Sequence, residues 1–264
     1  MKNILLILMF FIFQGCNTKQ VTSPSQTEHI EISIQTKEDN TDASEFDDEF
    51  DDETIEVADP LNRYNRMMTS VNDAIIIHAL NPVSKAYAYV IPRPFRVGLE
   101  NAIHNIQFPI RFVNNLLQGK FQNVSDETER FIVNSTVGLA GFMDPAKNYM
   151  NIPAHNEDFG QTLGYYGVEP GFHIVLPFFG PSNVRDLAGL TIDGYLSPLV
   201  NVRGLENYKI SKNFTQTTAI IAGYFINKNA LNMGAYESLK KDALDLYPFL
   251  RDIYEQKRLS DIEE

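Results

Sequence analysis

The sequence predicts an all-α, mostly helical domain with little or no β structure, and three observations carry that expectation. Asp59-Pro60 and Asp144-Pro145 each set a carboxylate before a proline. That order opens a helix, because the carboxylate accepts from free N–H groups and proline has none to lose. Leu61, Tyr64, Met68, Val71 and Ile75 recur at spacings of three and four, the helical period. Only Phe172–Leu176 reads as extended, and one short segment makes no sheet.

Taken in order, the first helix opens at Asp59-Pro60 and is expected to end or restart at Asn81-Pro82. A short helix over Val83–Ile91 stops at Pro92-Arg93-Pro94, where the next begins. That one is interrupted at Pro109 and ends at Gln118-Gly119, with glycine just past the helix. Ser125, followed by Asp126 and Glu127, predicts a further start, with carboxylates near the positive end of the helix dipole. This helix fades at Gly138–Gly141. Ser182, after Gly180-Pro181, is the expected cap of a helix toward Tyr195. Two longer helices are expected over roughly 212–228 and 235–258, with Pro248 bending the second.

The N-terminus reads differently. One cation, Lys2, precedes an apolar run from Ile4 to Phe13, too short for a spanning helix of about 20 residues. Gln14-Gly15-Cys16 follows and resembles a bacterial lipobox, so residues 1–15 read as a signal peptide and Cys16 as the acylated residue. Asn17 in the next position favours the outer membrane, by resemblance to sorted lipoproteins. Three acyl chains, at about 0.8 kcal/mol per buried CH₂, anchor a protein stably.

Residues 17–58 hold 13 acidic side chains against Lys19 and Lys37, whereas residues 59–264 hold 21 acidic and 19 basic ones. The stretch 16–58 is therefore expected to be a disordered acidic tether, because it cannot bury enough apolar surface to offset its ordering. It serves either as a self-repelling spacer or as a dock for a basic partner. Residues 59–264 form the one sizeable domain.

Recognisable catalytic chemistry is missing from the sequence. No G-x-S-x-G surrounds any serine, no H-E-x-x-H occurs, and the five histidines are scattered. No phosphate-binding glycine loop is present, and a nearly neutral domain without a basic stripe argues against nucleic acid. No catalytic residue, metal or cofactor is expected. The stretch HNEDFGQTLG looks like a site but reads as a helix start: Asn156 as cap, Glu157 and Asp158 in the first turn, and Phe159, Leu163 and Tyr166 on one face.

Charge is sparse from Phe131 to Pro181, where Asp144, Lys147, Glu157, Asp158 and Glu169 are the only charged residues in 51. Such a segment is either buried core or a surface solvated by lipid. Here the motifs converge. DPLNRYNRMMTSVND, PRPFRVGLENAIHNI, VNNLLQGK, FIVNSTVGLAGFMD, HNEDFGQTLGYYGV and VLPFFGPSNVRD follow one another in the order seen in the MlaA/VacJ family of outer-membrane lipoproteins, which they resemble. DLYPFLRDIYEQKR is similar to that family's C-terminal helix.

The resemblance implies a ring-like helical platform in the inner leaflet of the outer membrane, on its periplasmic face. It implies removal of mislocalised phospholipid from the outer leaflet through an amphipathic channel to a soluble periplasmic carrier. Trimeric porins are the implied partners, and no covalent chemistry is involved. The alternative is a structural lipoprotein that scaffolds a porin or envelope complex without moving lipid. Asn114, Asn134, Ser135, Thr136, Gln161 and Thr162 are polar within apolar surroundings. They stand either as channel lining or as ordinary capping and core hydrogen bonding. Gly164, Gly167 and Gly171 match the family's loop near the channel, as a gate or simply a turn. Met68 to Asn72 matches the helix that influences channel behaviour.

Overall fold

Arg111, Asn114, Asn115 and Gln118 recur at the helical period, as do Glu127, Arg130 and Asn134, and both stripes are buried. The amphipathic pattern is thus present with its faces exchanged. The computed structural model describes residues 59–264, and it is mostly helical. Among these residues, 27 polar or charged side chains are buried but only six apolar ones, while 36 large hydrophobic side chains are exposed.

Helices α1 (Asn62–Ile75), α2 (Asn81–Val90), α3 (Arg93–Ile106), α4 (Phe108–Leu117) and α5 (Phe121–Thr136) come first. Then follow α6 (Pro145–Met150), α7 (Phe159–Tyr165), strands β1 (His173–Leu176) and β2 (Gly180–Asn183), and α8 (Val184–Leu196). The chain closes with α9 (Phe214–Leu231), α10 (Ala235–Asp242) and α11 (Leu246–Glu263). Their packing runs in a circuit. α2 packs on α9, α9 on α3, α3 on α4, α4 on α7 and α8, α7 on α11, and α11 on α1, which continues into α2. No single helix among the described residues is long and apolar enough to cross a membrane; the run 62–90 and α3 reach that composition only as a pair bent by 114°.

Several boundaries differ from the sequence expectation, each for a local reason. Asn81-Pro82 stops nothing, because a π turn over Ile76–Leu80 carries α1 into α2 and absorbs the proline. α5 begins at Phe121 rather than Ser125, since Gly119 at φ +72° completes the turn at once. Asp158, not Asn156, caps α7: it accepts from the Gln161 N–H at 2.8 Å while the Gln161 side chain accepts from the Asp158 N–H at 2.6 Å. Asn183 caps α8 in place of Ser182, which pairs within β2. The expected helix over 235–258 is two helices, α10 and α11, and Pro248 lies in the first turn of α11, where it bends nothing.

The extended segment is real, and it has a partner. β1 pairs antiparallel with β2, His173 opposite Asn183 and Leu176 opposite Gly180. A two-stranded hairpin is marginal alone, and this one is completed by a helix. Asn65 donates to the His173 carbonyl at 3.1 Å and accepts from the Val175 N–H at 2.9 Å. Two turns on, Asn72 donates to the Leu176 carbonyl and accepts from the Phe178 N–H, both at 2.9 Å. Two carboxamides on α1 therefore do the work of a third strand.

Removing one strands two buried backbone groups, each costing about 1–3 kcal/mol. Asn65→Leu is expected to destabilise the domain by about 3 kcal/mol, read by denaturant unfolding in mild detergent; an unchanged midpoint contradicts this account of the hairpin.

Candidate functional site: an apolar cleft beside the hairpin

Held against α1, the hairpin walls a cleft of about 510 Å³. Ile75, Ile76 and Leu80 line one side, Phe178 and Phe179 the hairpin turn, and Ala222, Phe225 and Ile226 of α9 the other. The turn spans the cleft: Asn72 holds the Phe178 N–H, and the Phe179 ring meets the Phe225 ring edge-on at 5.7 Å. Phe178 sits at φ +67°, a left-handed conformation that costs a bulky residue about 1–2 kcal/mol. Volume and carbon lining suit apolar chains rather than a polar substrate.

Of the predicted segments, Met68 to Asn72 supplies Thr69 and Asn72 to the cleft lining, while the predicted channel and loop residues fall in three places outside it. Asn114 and Gln161 come together where α7 meets α4 and α8. Asn114 is fully buried, donates to Asp193 at 3.1 Å and accepts from Thr162 at 2.9 Å. Gln161 closes the α7 capping box. Asn134 lies apart; it donates to Asp144 at 2.9 Å and accepts from the Ala146 N–H, fixing the start of α6. Gly164 packs so closely on Ile262 that a Cβ there would make the Ile262 side chain shift. Gly167 and Gly171 turn the chain at φ +81° and +71° on its way into β1. Cys16 and the tether lie outside the described residues.

Neighbouring charges are structural. Arg258 lays one edge of its guanidinium on Asp158 and another on Asp186, with four contacts of 2.8–2.9 Å, and Tyr254 donates to Asp186 at 2.6 Å. Burial raises the Asp186 pKa, but these bonds outweigh it and hold the carboxyl below its usual range. His155 pairs with Asp126 and Glu157 with Lys120. Among the described residues no group of His, Cys, Asp or Glu is placed to hold a metal ion.

Sequence reasoning reached Asn72 only within the segment Met68 to Asn72, and it missed Asn65, Tyr236 and the paired phenylalanines. The available signal was the seven-residue spacing of Asn65 and Asn72, which puts two carboxamides on one helical face.

Fold and cleft define a helical domain built with polar side chains inside and apolar ones outside, around an apolar cleft. The MlaA lipoprotein family matches over residues 57–261, and this chain belongs to it. An uncharacterised protein of Rickettsia bellii is 28% identical over 79% of this chain and 78% of its own length. The Haemophilus influenzae intermembrane phospholipid transport system lipoprotein MlaA is 34% identical over 53% of this chain and 57% of its own. Its Escherichia coli K12 namesake is 36% identical over 52% and 56%. A chain solved in work on the structural basis for maintenance of bacterial outer membrane lipid asymmetry aligns with TM-score 0.65 at 25% identity, covering 78% of this chain and 99% of that one.

Asp193 supplies a pH test of the α7 junction. Burial, with Asp158 nearby, pushes its pKa up to about 6, against the bonds from the Phe159 N–H and Asn114. A carboxyl whose folded pKa exceeds its unfolded value stabilises below the unfolded pKa, and that contribution is lost as pH rises through about 6. Asp193→Asn is therefore expected to gain thermal stability relative to the parent between pH 4 and pH 7. A parent-minus-variant difference in Tm that stays flat over that range refutes the assignment.

Proposed function

We propose that this chain is a non-enzymatic phospholipid-transfer component of the outer membrane. It sits in the inner leaflet, anchored through Cys16, takes mislocalised phospholipid from the outer leaflet and passes it to a soluble periplasmic carrier, with a trimeric porin as partner. The observation that carries this reading is the exchange of faces: 36 exposed large hydrophobic side chains around a hydrogen-bonded polar interior. Exposed apolar surface on that scale marks a contact with lipid or protein. A polar interior with its groups paired tolerates hydrocarbon outside. The names of the Haemophilus and Escherichia relatives point to phospholipid as the cargo.

Within this reading the cleft takes acyl chains. Asn114 and Gln161 hold α7 in place, Asn134 holds α6, and the segment through Gly164, Gly167 and Gly171 is the loop that gates passage of lipid.

Lipid extraction and mass spectrometry on the protein in mild detergent tests the reading. Non-covalent phospholipid is expected with the parent and with Cys16→Ala, and several-fold less with Ala222→Trp, which fills the cleft. Protein acylated at Cys16 but free of phospholipid puts a scaffolding role first. The loop has its own test. Gly167→Pro cannot keep φ +81°, since proline fixes φ near −65°. It should leave the protein in the outer membrane yet raise outer-leaflet phospholipid in cells; unchanged asymmetry counts against a moving loop.

A further inference from the structure

One polar group of the cleft wall leads to an ion pair. Of the polar lining residues, Thr69 donates to the Asn65 carbonyl and Asn72 is committed to the hairpin backbone. That leaves Tyr236, whose hydroxyl donates to Asp73 at 3.0 Å. Lys240 in turn lies 2.8 and 2.7 Å from the two Asp73 oxygens. Asp73 follows Asn72 on α1 and precedes the lining residues Ile75 and Ile76, while Tyr236 and Lys240 lie one turn apart on α10. The Lys240 side chain is 39% exposed and that of Asp73 20%. Through the Tyr236 hydroxyl, the carbon-lined cleft therefore adjoins a partly exposed ion pair.

An ion pair this exposed is worth about 0–1 kcal/mol, so a ligand carrying both charges exchanges partners with it at little cost. A phosphodiester takes Lys240. A primary ammonium then takes Asp73 and restores the donors that Lys240 withdrew. Burial, together with the bond to Asp73 and its charge, raises the Tyr236 pKa and keeps the phenol a neutral donor. A quaternary ammonium has no N–H to give Asp73, and a head with phosphate alone leaves Asp73 without a cation. We propose that Asp73, Tyr236 and Lys240 form a head-group subsite of the cleft that selects phospholipids carrying a primary ammonium beside the phosphate. This inference rests on the reading of the cleft as an acyl-chain site.

The test is competition between dihexanoyl phosphatidylethanolamine and dihexanoyl phosphatidylglycerol for the full chain in mild detergent, read by native mass spectrometry. The parent should favour the ethanolamine lipid by about fivefold, the equivalent of about 1 kcal/mol. Asp73→Asn, which keeps an acceptor for Tyr236, should bring that ratio close to one while still binding lipid. Lys240→Gln, on the exposed end of α10, should weaken both lipids several-fold. A parent ratio near one, an unchanged ratio in Asp73→Asn, or full affinity in Lys240→Gln overturns the subsite while leaving the cleft reading intact. A parent that holds neither lipid overturns both.

Discussion

The helical circuit of this domain depends on a polar interior whose hydrogen bonds are mostly made within the chain. A neutral hydrogen bond contributes only about 1 kcal/mol net, yet a buried group left unpaired costs about 1–3 kcal/mol. Such an interior is therefore held less by attraction than by the cost of any other arrangement. The Arg111–Glu127 pair at 2.7 Å locks α4 to α5, and Arg130 with Asp144 at 2.8 Å locks α5 to the start of α6. Losing one partner of such a buried pair costs about 3–5 kcal/mol. Six buried apolar side chains make no comparable core among the described residues. On the proposed reading, the leaflet outside supplies much of the hydrophobic term.

Asparagine is the residue this constraint selects. Nine of the buried polar side chains are asparagines, among them Asn65, Asn105, Asn114, Asn183 and Asn227. A carboxamide offers two donors and an acceptor oxygen with no net charge, so it can serve backbone groups far from water without the desolvation cost of an ion. Asn227 shows the economy of this: it donates to the Arg96 carbonyl and to Glu100 and accepts from Tyr87, tying α9 to α2 and α3. Charged groups appear where one side chain must bridge several elements. Arg258 joins α11 to the Asp158 cap of α7 and to Asp186 of α8.

Much of the helical content was legible because caps and prolines act locally. Asp144-Pro145 opens α6 as its chemistry requires, and the proline pair at 92 and 94 divides α2 from α3. What local signals could not give was the direction each stripe faces. Leu61, Met68 and Val71 reveal a helical period, but that period is equally the period of Asn65, Thr69 and Asn72, and the second set is buried. Periodicity is blind to the medium outside the helix. The same blindness hid the cleft, whose lining comes from segments spread along the chain from α1 to α11. The hairpin escaped because Gly180-Pro181-Ser182-Asn183 has none of the residues that favour strands; register with β1 and the α1 carboxamides impose it.

That hairpin joins the rigid part of the molecule to the part suited to move. Its root is fixed: His173 is fully buried and paired with Glu255 at 2.9 Å, and Asn183 reaches the same carboxylate. Its tip is held by the two Asn72 bonds and the edge contact of Phe179 with Phe225. Two such bonds amount to about 2 kcal/mol, and release of the left-handed Phe178 backbone returns about 1–2 kcal/mol of that. Lifting the tip is therefore cheap, whereas moving a helix of the circuit breaks buried hydrogen bonds such as those of Asn227, or buried ion pairs such as Arg111–Glu127. On the proposed reading, a cleft that admits and releases a large apolar cargo needs one wall of this kind and several of the other, and the weakest hydrogen bonding lies at Phe178 and Phe179.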